Sequence, residues 1–335
     1  MTSQKELLRQ LADASGQKQL LTHQDDKAWY TRGFRVGQGE ALAVVLPLTL
    51  QALWKTLQVC VAHDAIVLMQ ASNTGVTGGS TPDGSDYDRD VIIISTRRLK
   101  GVQVIDDNRQ VIAFPGTTLT ELEQTLQPLG REPHSVIGSS CIGASVVGGV
   151  CNNSGGSLIR RGPAFTEKSL FARIHDDGRL EMVNHLGIDL GETPEAMLDN
   201  LTRQQYRTGD RPDWQGKIWA DDYADRLRDV DADSPARFNG DLRYLHDSAG
   251  SAGKVVVFAV RLPTFAASAG SETFYMGSND ERELVALRRF LLTRMSELPQ
   301  QAEYIHRGAF DMTVRYAKHM YLAIRRLGPQ AIPRL

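Results

Sequence analysis

The sequence is poor in cysteine and almost neutral in charge. Only three cysteines are present, Cys60, Cys141 and Cys151, with no CxxC spacing and no histidine pair beside them. This spacing gives no indication of a structural zinc site or a disulfide framework, and it favours a reducing compartment. With 38 Lys and Arg against 40 Asp and Glu, the overall charge gives no reason to expect nucleic-acid binding.

Long apolar runs are also missing. The densest run, at residues 41–50, contains Pro47 and Thr49 and is too short to cross a bilayer, which takes about 20 residues. Lys5, Glu6 and Arg9 interrupt the N-terminal apolar residues, unlike the continuous apolar segment of a signal peptide. We therefore expect no export signal and no transmembrane helix, so that any membrane contact is peripheral.

Two common nucleotide-binding fingerprints do not occur. No GxxxxGK[ST] is present, and no GxGxxG follows a predicted strand. A P-loop ATPase is therefore excluded, and a standard Rossmann dinucleotide site is unsupported. The histidines show no metal-ligand spacing, so we propose no catalytic metal.

The hydrophobic pattern that remains predicts a protein of mixed α and β structure. Helices are predicted at residues 4–14, 50–61, 117–128, 283–298 and 314–327. Strands are predicted at residues 41–46, 65–70, 91–95, 102–105, 111–114 and 255–262. Residues 188–238 are polar, acidic and rich in Asp, which indicates an insertion.

A loop rich in glycine and hydroxyl groups follows the predicted strand 65–70. Residues 73–82 read NTGVTGGSTP. Glycines let backbone N–H groups approach a diphosphate closely, and hydroxyls donate to its oxygens. The loop is a candidate anion cradle, although a tight surface turn that needs positive φ angles would also use such glycines.

A second segment, residues 138–156, consists almost wholly of small residues. It reads GSSCIGASVVGGVCNNSGG. Small side chains let the backbone lie directly against a flat ligand or against another backbone. For this segment alone, a close-packed structural turn is the alternative to a ligand site, but the presence of both segments favours a bound cofactor.

The order of these motifs is typical of one flavoprotein fold. NTGVTGGSTP, IGASVVGGVCNNSGG and SAGKVVVFAVRL resemble the FAD-binding domain of the p-cresol methylhydroxylase and vanillyl-alcohol oxidase type. The runs YDRDVIIIST, GREPHSVIG and VNHLGI are similar to the quinone-dependent, respiratory D-lactate dehydrogenases, and the similarity covers nearly the whole chain. The resemblance implies an α+β fold of two α/β subdomains, followed by the start of an incomplete cap domain.

The resemblance also implies where FAD lies, with its diphosphate between the two subdomains. The positions that match the family's FAD contacts are Ala71, Ser72, Asn73, Thr74, Gly75, Gly79, Ser80, Gly138, Ser145, Gly155 and Val257. Because the first loop has no His, Cys or Tyr that could attach a flavin, we expect the FAD to be non-covalent. The implied domains are an N-terminal helical arm at 1–35, the FAD-binding domain at 36–268, and the beginning of a substrate or cap domain at 269–335.

The sequence offers two candidate catalytic residues. Oxidation of a 2-hydroxy acid by a flavin needs a base near the hydroxyl and a cation for the carboxylate. In the resembled family much of the substrate site belongs to the cap and a C-terminal segment, and this chain ends within what resembles the opening part of that cap. The candidates within the chain are Arg131 and His134, with a solvated Arg and a hydrogen-bonded or helix-capping His as the alternative.

The implied activity is oxidation of D-lactate to pyruvate with electron transfer to quinone, on the cytoplasmic side of the inner membrane. Basic residues late in the chain agree with contact to anionic lipid, or with a solvated helix face: Arg288, Arg289, Arg294, Arg307, Arg315, Lys318, Arg325, Arg326 and Arg334. The alternatives are a truncated FAD-binding module without turnover, and a same-fold oxidoreductase for another 2-hydroxy acid such as glycolate.

Overall fold

The chain folds around two β-sheets, as shown by a computed structural model that describes residues 2–134, 142–155, 158–207, 215–238 and 240–327. The strands are β1 (Leu20–Leu21), β2 (Ala43–Val45), β3 (Ile66–Gln70), β4 (Val91–Ser95), β5 (Val102–Ile105), β6 (Gln110–Ala113), β7 (Arg131–Pro133), β8 (Ser169–Ile174), β9 (Leu180–Asn184) and β10 (Val256–Ala266). The helices are α1 (Thr2–Ser15), α2 (Gln24–Lys27), α3 (Leu50–Ala62), α4 (Leu119–Leu126), α5 (Val146–Cys151), α6 (Pro194–Arg203), α7 (Tyr223–Arg228), α8 (Glu281–Arg294), α9 (Arg307–Tyr316) and α10 (Lys318–Leu327). The expected mixture of α and β structure is confirmed.

The smaller sheet has the strand order β1-β2-β4-β3. Strands β2, β4 and β3 are parallel, and β1 is antiparallel to β2. Every residue of β4 is buried, as expected for a central parallel strand, which is covered on both faces and therefore apolar throughout. Gln70 pairs with Ser95 in register, so β3 and β4 end at the same edge, and the first glycine loop leaves from that edge.

The larger sheet is antiparallel and has the order β5-β6-β10-β8-β9, with β7 also pairing with β10. Strand β10 is the longest, with 11 residues, and the pairing register between β10 and β8 shifts between Val257 and Ala259. Helix α4 begins in a capping box, in which Thr118 and Glu121 each accept a backbone N–H of the other.

Helix α3 packs between the two sheets. Trp54 on α3 meets Phe258 on β10 edge to face, with ring centroids 6.3 Å apart. Leu7 and Leu11 of α1 are buried in the same core. Met197 of α6 also lies in this core, so helix α6 contributes core residues from within the polar segment 188–238.

Several elements differ from those predicted. Strands β8 and β9 and helices α6 and α7 were not expected from the apolar pattern. The predicted helix 314–327 is two helices separated at Ala317, and the first begins earlier because His306 accepts the Gly308 N–H at 3.0 Å and caps it. Helix α8 ends at Arg294, four residues before the predicted end.

Candidate cofactor-binding site

The first glycine loop is held in shape by Asn73. This residue has a φ of 53°, in the left-handed region that Asn tolerates better than most residues. Its Nδ2 donates to the Arg32 carbonyl oxygen at 2.8 Å. Its Oδ1 accepts from the hydroxyls of Ser80 at 3.4 Å and Thr81 at 3.3 Å. The structure therefore brings together Asn73 and Ser80, two of the predicted contact residues.

A buried glutamine fixes the base of this loop. Gln70 Nε2 donates to the carbonyl oxygens of Tyr30 and Ser80, both at 2.9 Å. Its Oε1 atom is buried and has no hydrogen-bond partner among the described residues. Gln70 is not among the predicted site residues, although a polar residue at the end of an apolar strand is a visible signal in the sequence.

The glycines of the loop differ in what surrounds them. A Cβ placed on Gly75 would meet no atom within 4 Å, and one on Gly79 would meet only the Thr77 hydroxyl at 4.0 Å. Gly78 instead has a φ of 73°, and its Cβ would lie 3.3 Å from the Val36 carbonyl oxygen. The backbone at Gly75 and Gly79 is thus open to a ligand, whereas Gly78 is needed for the turn itself.

The other predicted contacts in this loop line the same turn. Ala71, Ser72 and Thr74 are half-buried, while Gly75 and Gly79 are exposed. An open backbone bordered by hydroxyl groups fits an anionic group such as the diphosphate of FAD.

The second glycine segment begins with a capped helix. Ser145 Oγ accepts the N–H of Gly148 at 3.1 Å and so caps α5. A Cβ on Gly148 would lie 2.6 Å from that Oγ, so the cap requires glycine there. Gly138 lies outside the described residues. Gly155 follows α5 and lies against the guanidinium of Arg237.

Hydrogen bonds join the two glycine segments through a short path of backbone. Thr96, just after β4, donates its N–H to the Gln70 carbonyl oxygen at 2.8 Å. The Thr96 hydroxyl donates to the Pro115 carbonyl oxygen at 3.4 Å, and the Val146 N–H donates to the Thr117 carbonyl oxygen at 2.9 Å. The base of the first loop and the start of α5 therefore flank the same stretch of chain.

Val257 lies on β10 beneath the second segment. Its side chain is buried in the same apolar cluster as Val146, Val147 and Val150 of α5. Val257 pairs with Phe171 immediately before the register shift between β10 and β8. A contact from this residue to a cofactor would therefore come from its backbone.

The two catalytic candidates have different environments. Arg131 is bound to β10, since its Nε donates to Thr264 Oγ1 at 2.9 Å and its Nη2 to the Thr264 carbonyl oxygen at 2.6 Å. His134 is buried, and neither ring nitrogen has a hydrogen-bond partner in the part of the chain that the structure describes. Burial, with the charge of Arg161, lowers the His134 pKa to about 3, which keeps the ring neutral and makes it a weak base.

Comparison with known families identifies two regions. Residues 41–166 match the model of the FAD binding domain, and residues 273–335 match the model described as D-lactate dehydrogenase, membrane binding. The first range contains the glycine loop, Ser145 and Gly155.

Relatives match almost the whole chain. A quinone-dependent D-lactate dehydrogenase of Escherichia coli is 54% identical over 99% of this chain and 58% of its own length. One from Haemophilus influenzae is 50% identical over 99% of this chain and 59% of its own length. The sequence relatives of this chain are quinone-dependent D-lactate dehydrogenases. The chain thus spans less than two thirds of the length of these dehydrogenases.

A solved structure gives the fold. p-Cresol methylhydroxylase with substrate bound matches 81% of this chain and 45% of its own, with a TM-score of 0.50 and 12% identity. At this identity the likeness shows the fold alone, and it confirms the expected FAD-binding fold of the p-cresol methylhydroxylase type. Among the described residues, no helix is long and apolar enough to cross a membrane, and no group of His, Cys, Asp and Glu is arranged to hold a metal ion.

Proposed function

We propose that this chain binds FAD and takes part in the oxidation of D-lactate to pyruvate with transfer of two electrons to quinone. The identity of 54% to a quinone-dependent D-lactate dehydrogenase carries this proposal. The linked glycine segments support it from the structure, because the first offers open backbone at Gly75 and Gly79 and the second carries the Arg237 guanidinium against Gly155.

The residues that would hold FAD follow from the geometry of the two segments. Backbone N–H groups around Gly75 and Gly79 would donate to the diphosphate, with the hydroxyls of Thr74 and Ser80 beside them. The second half of the site would lie between Ser145, at the start of α5, and Gly155, beyond the end of this helix. When bound, FAD would supply the acceptor for the hydride that leaves C2 of lactate.

We propose that the FAD is held without a covalent bond. The first loop contains no His, Cys or Tyr that could attach a flavin. Cys151 is a free thiol, and burial raises its pKa to about 11, so it is un-ionised and a poor nucleophile at neutral pH. Cys141 lies outside the described residues.

We propose that cofactor binding and substrate binding belong to different parts of the chain. We assign FAD binding to residues 36–268, after an N-terminal arm at 1–35, and substrate binding in part to residues 269–335. Arg131 and His134 stay predictions for contact with substrate, because Arg131 already binds Thr264 and His134 is a weak base.

Peripheral attachment to anionic lipid on the cytoplasmic side is part of the proposal. Helices α9 and α10 expose Phe310, Met312 and Tyr321 together with basic residues such as Arg325. Apolar side chains that enter the interface and cations that meet lipid phosphates are the usual components of such contact. Cosedimentation with anionic and neutral vesicles tests this, and equal binding to both would contradict it.

A second candidate function is FAD binding without turnover, and the observations that favour it are the weak basicity of the buried His134 and the hydrogen bonds that already hold Arg131. Protein loaded with FAD is mixed anaerobically with D-lactate or L-lactate while the visible flavin absorbance is followed. Bleaching by D-lactate alone, with pyruvate formed and a soluble quinone reduced, supports the first proposal. Retained FAD that D-lactate does not bleach contradicts it and favours the second.

A further inference from the structure

The guanidinium group of Arg237 lies flat against the second glycine segment. A Cβ on Gly155 would lie 1.5 Å from Nη1, 1.6 Å from Cζ and 1.7 Å from Nη2 of this arginine. No other residue type at position 155 would let the guanidinium come this close to the backbone. The contact is therefore specific to the pair of Gly155 and Arg237.

Arg237 has no carboxylate partner among the described residues. Its one hydrogen bond there runs from Nη2 to the Asn153 carbonyl oxygen at 3.3 Å. The side chain is half-buried, and its charge acts on the phenol of the buried Tyr223. A partly desolvated guanidinium without a counterion gains more from an anion than an exposed one does.

The surrounding structure holds Arg237 in this place. Arg228, nine residues earlier, donates to the carbonyl oxygens of Leu292, Met295 and Ser296 at 2.9 to 3.0 Å. Asp231 pairs with Arg289 on α8 at 2.8 Å. The chain that leads to Arg237 is thus attached to α8 at two points, and it returns to the core of the FAD-binding fold at Gly155.

A buried polar atom of Asn153 lies beside Arg237. Asn153 has a φ of 44°, and its Nδ2 donates to the Tyr244 carbonyl oxygen at 2.8 Å. Its Oδ1 is buried without a hydrogen-bond partner among the described residues. This oxygen is an acceptor, so a hydroxyl or N–H group of a ligand would satisfy it, whereas the group that would bind an anion beside this turn is the Arg237 guanidinium.

We propose that Arg237 is a cofactor-binding residue that donates hydrogen bonds to the diphosphate of FAD at Gly155. This inference rests on the proposed function, because it takes FAD as the ligand of the glycine segments. The planar fork of an arginine matches two phosphate oxygens at once, which a lysine cannot do. Residues 229–238 would thereby contact the cofactor as well as α8.

The test is equilibrium binding of FAD, ADP and riboflavin to apoprotein carrying Arg237→Gln. We expect FAD and ADP to bind about 10- to 100-fold more weakly, because each loses a charge-assisted hydrogen bond. Riboflavin has no phosphate, so its affinity should not change. The control is Arg243→Gln, since Arg243 follows shortly after Arg237 in the chain but is already paired with Asp241, with Nε 2.7 Å from Oδ1.

The outcomes separate this inference from the proposed function. Wild-type protein that binds no FAD would contradict the proposed function itself. Normal FAD binding by Arg237→Gln, or equal losses for FAD and riboflavin, would overturn the role of Arg237. If Arg237→Gln does not fold, Arg237→Lys takes its place. Weaker binding of FAD and ADP but not riboflavin then supports the inference, and unchanged FAD affinity overturns it.

Discussion

Arg160 donates a hydrogen bond from Nε to the carbonyl oxygen of Leu298 at 2.6 Å. Next to it, the Ile159 N–H donates to the Gln300 carbonyl oxygen at 3.1 Å. These bonds lie five or fewer residues after Gly155, so the second glycine segment leads directly into the contact with residues 298–301. The FAD-binding fold and the range that matches the membrane-binding model therefore meet beside the candidate cofactor site.

Loss of the Arg160 bond should loosen this junction. We expect Arg160→Ala to lower local stability around residues 297–301 by about 1 kcal/mol, the usual net value of one hydrogen bond. Hydrogen exchange followed by mass spectrometry should show faster exchange there and at the C-terminal end of α8. Arg179→Ala, in the turn between β8 and β9, is the control, and equal exchange in both variants would contradict the expectation.

Replacement of Gln70 should destabilise the base of the first loop. In Gln70→Leu the carbonyl oxygens of Tyr30 and Ser80 lose their donor, and each unsatisfied buried acceptor costs about 1–3 kcal/mol. We expect a lower free energy of unfolding in urea and weaker FAD binding. The control is Gln124→Leu, which replaces an exposed glutamine on α4 and should change neither the free energy of unfolding nor FAD binding. A Gln70→Leu protein as stable as wild type would show that these bonds are unimportant.

His134 should make stability depend on pH in a defined direction. Its pKa is about 3 in the folded chain and about 6.5 when unfolded. Between these values the unfolded chain binds one proton more than the folded chain. The contribution of His134 to the free energy of unfolding is therefore complete above pH ~6.5 and is lost as the pH falls toward ~3. The loss amounts to at most about 1.4 kcal/mol per pH unit.

The His134→Gln variant isolates this contribution. Its free energy of unfolding, measured by urea titration at several pH values from about 4 to 7, should rise less steeply with pH than that of wild type. His23→Gln replaces an exposed histidine and serves as the control. An identical slope in wild type and His134→Gln would show that folding does not lower the pKa of His134.

The parts of the fold that sequence predicts are those with a strong local pattern. Strand β4 is a continuous apolar run because it is an inner parallel strand and is buried throughout, while β3, at the edge of the sheet, is a run of four half-buried apolar residues that ends at Gln70. Strands β8 and β9 were missed since polar and exposed residues, such as Arg173, break their short apolar runs. Helix α6 was missed because Met197, Leu198 and Leu201 lie in an acidic region whose composition conceals their helical spacing.

The same distinction applies to the candidate site. The glycine loops are local motifs, and the structure adds which glycines face open space. Arg237 could not be found in this way, because it reaches Asn153 from 84 residues away. The role of Gln70 could not be predicted, because it depends on Tyr30 lying beside Ser80, and only the folded chain brings these two residues together.

Binding of FAD by the open backbone of the first glycine loop can be tested by FAD titration of apoprotein carrying Gly79→Val, with Gly270→Val as the control. Neither glycine has a positive φ, and a Cβ meets no atom closer than 4.0 Å at either position, so both variants should fold. We predict one FAD per wild-type chain and per Gly270→Val chain, and binding weakened at least about tenfold in Gly79→Val. Equal FAD affinity in all three proteins would show that the first glycine loop does not bind FAD.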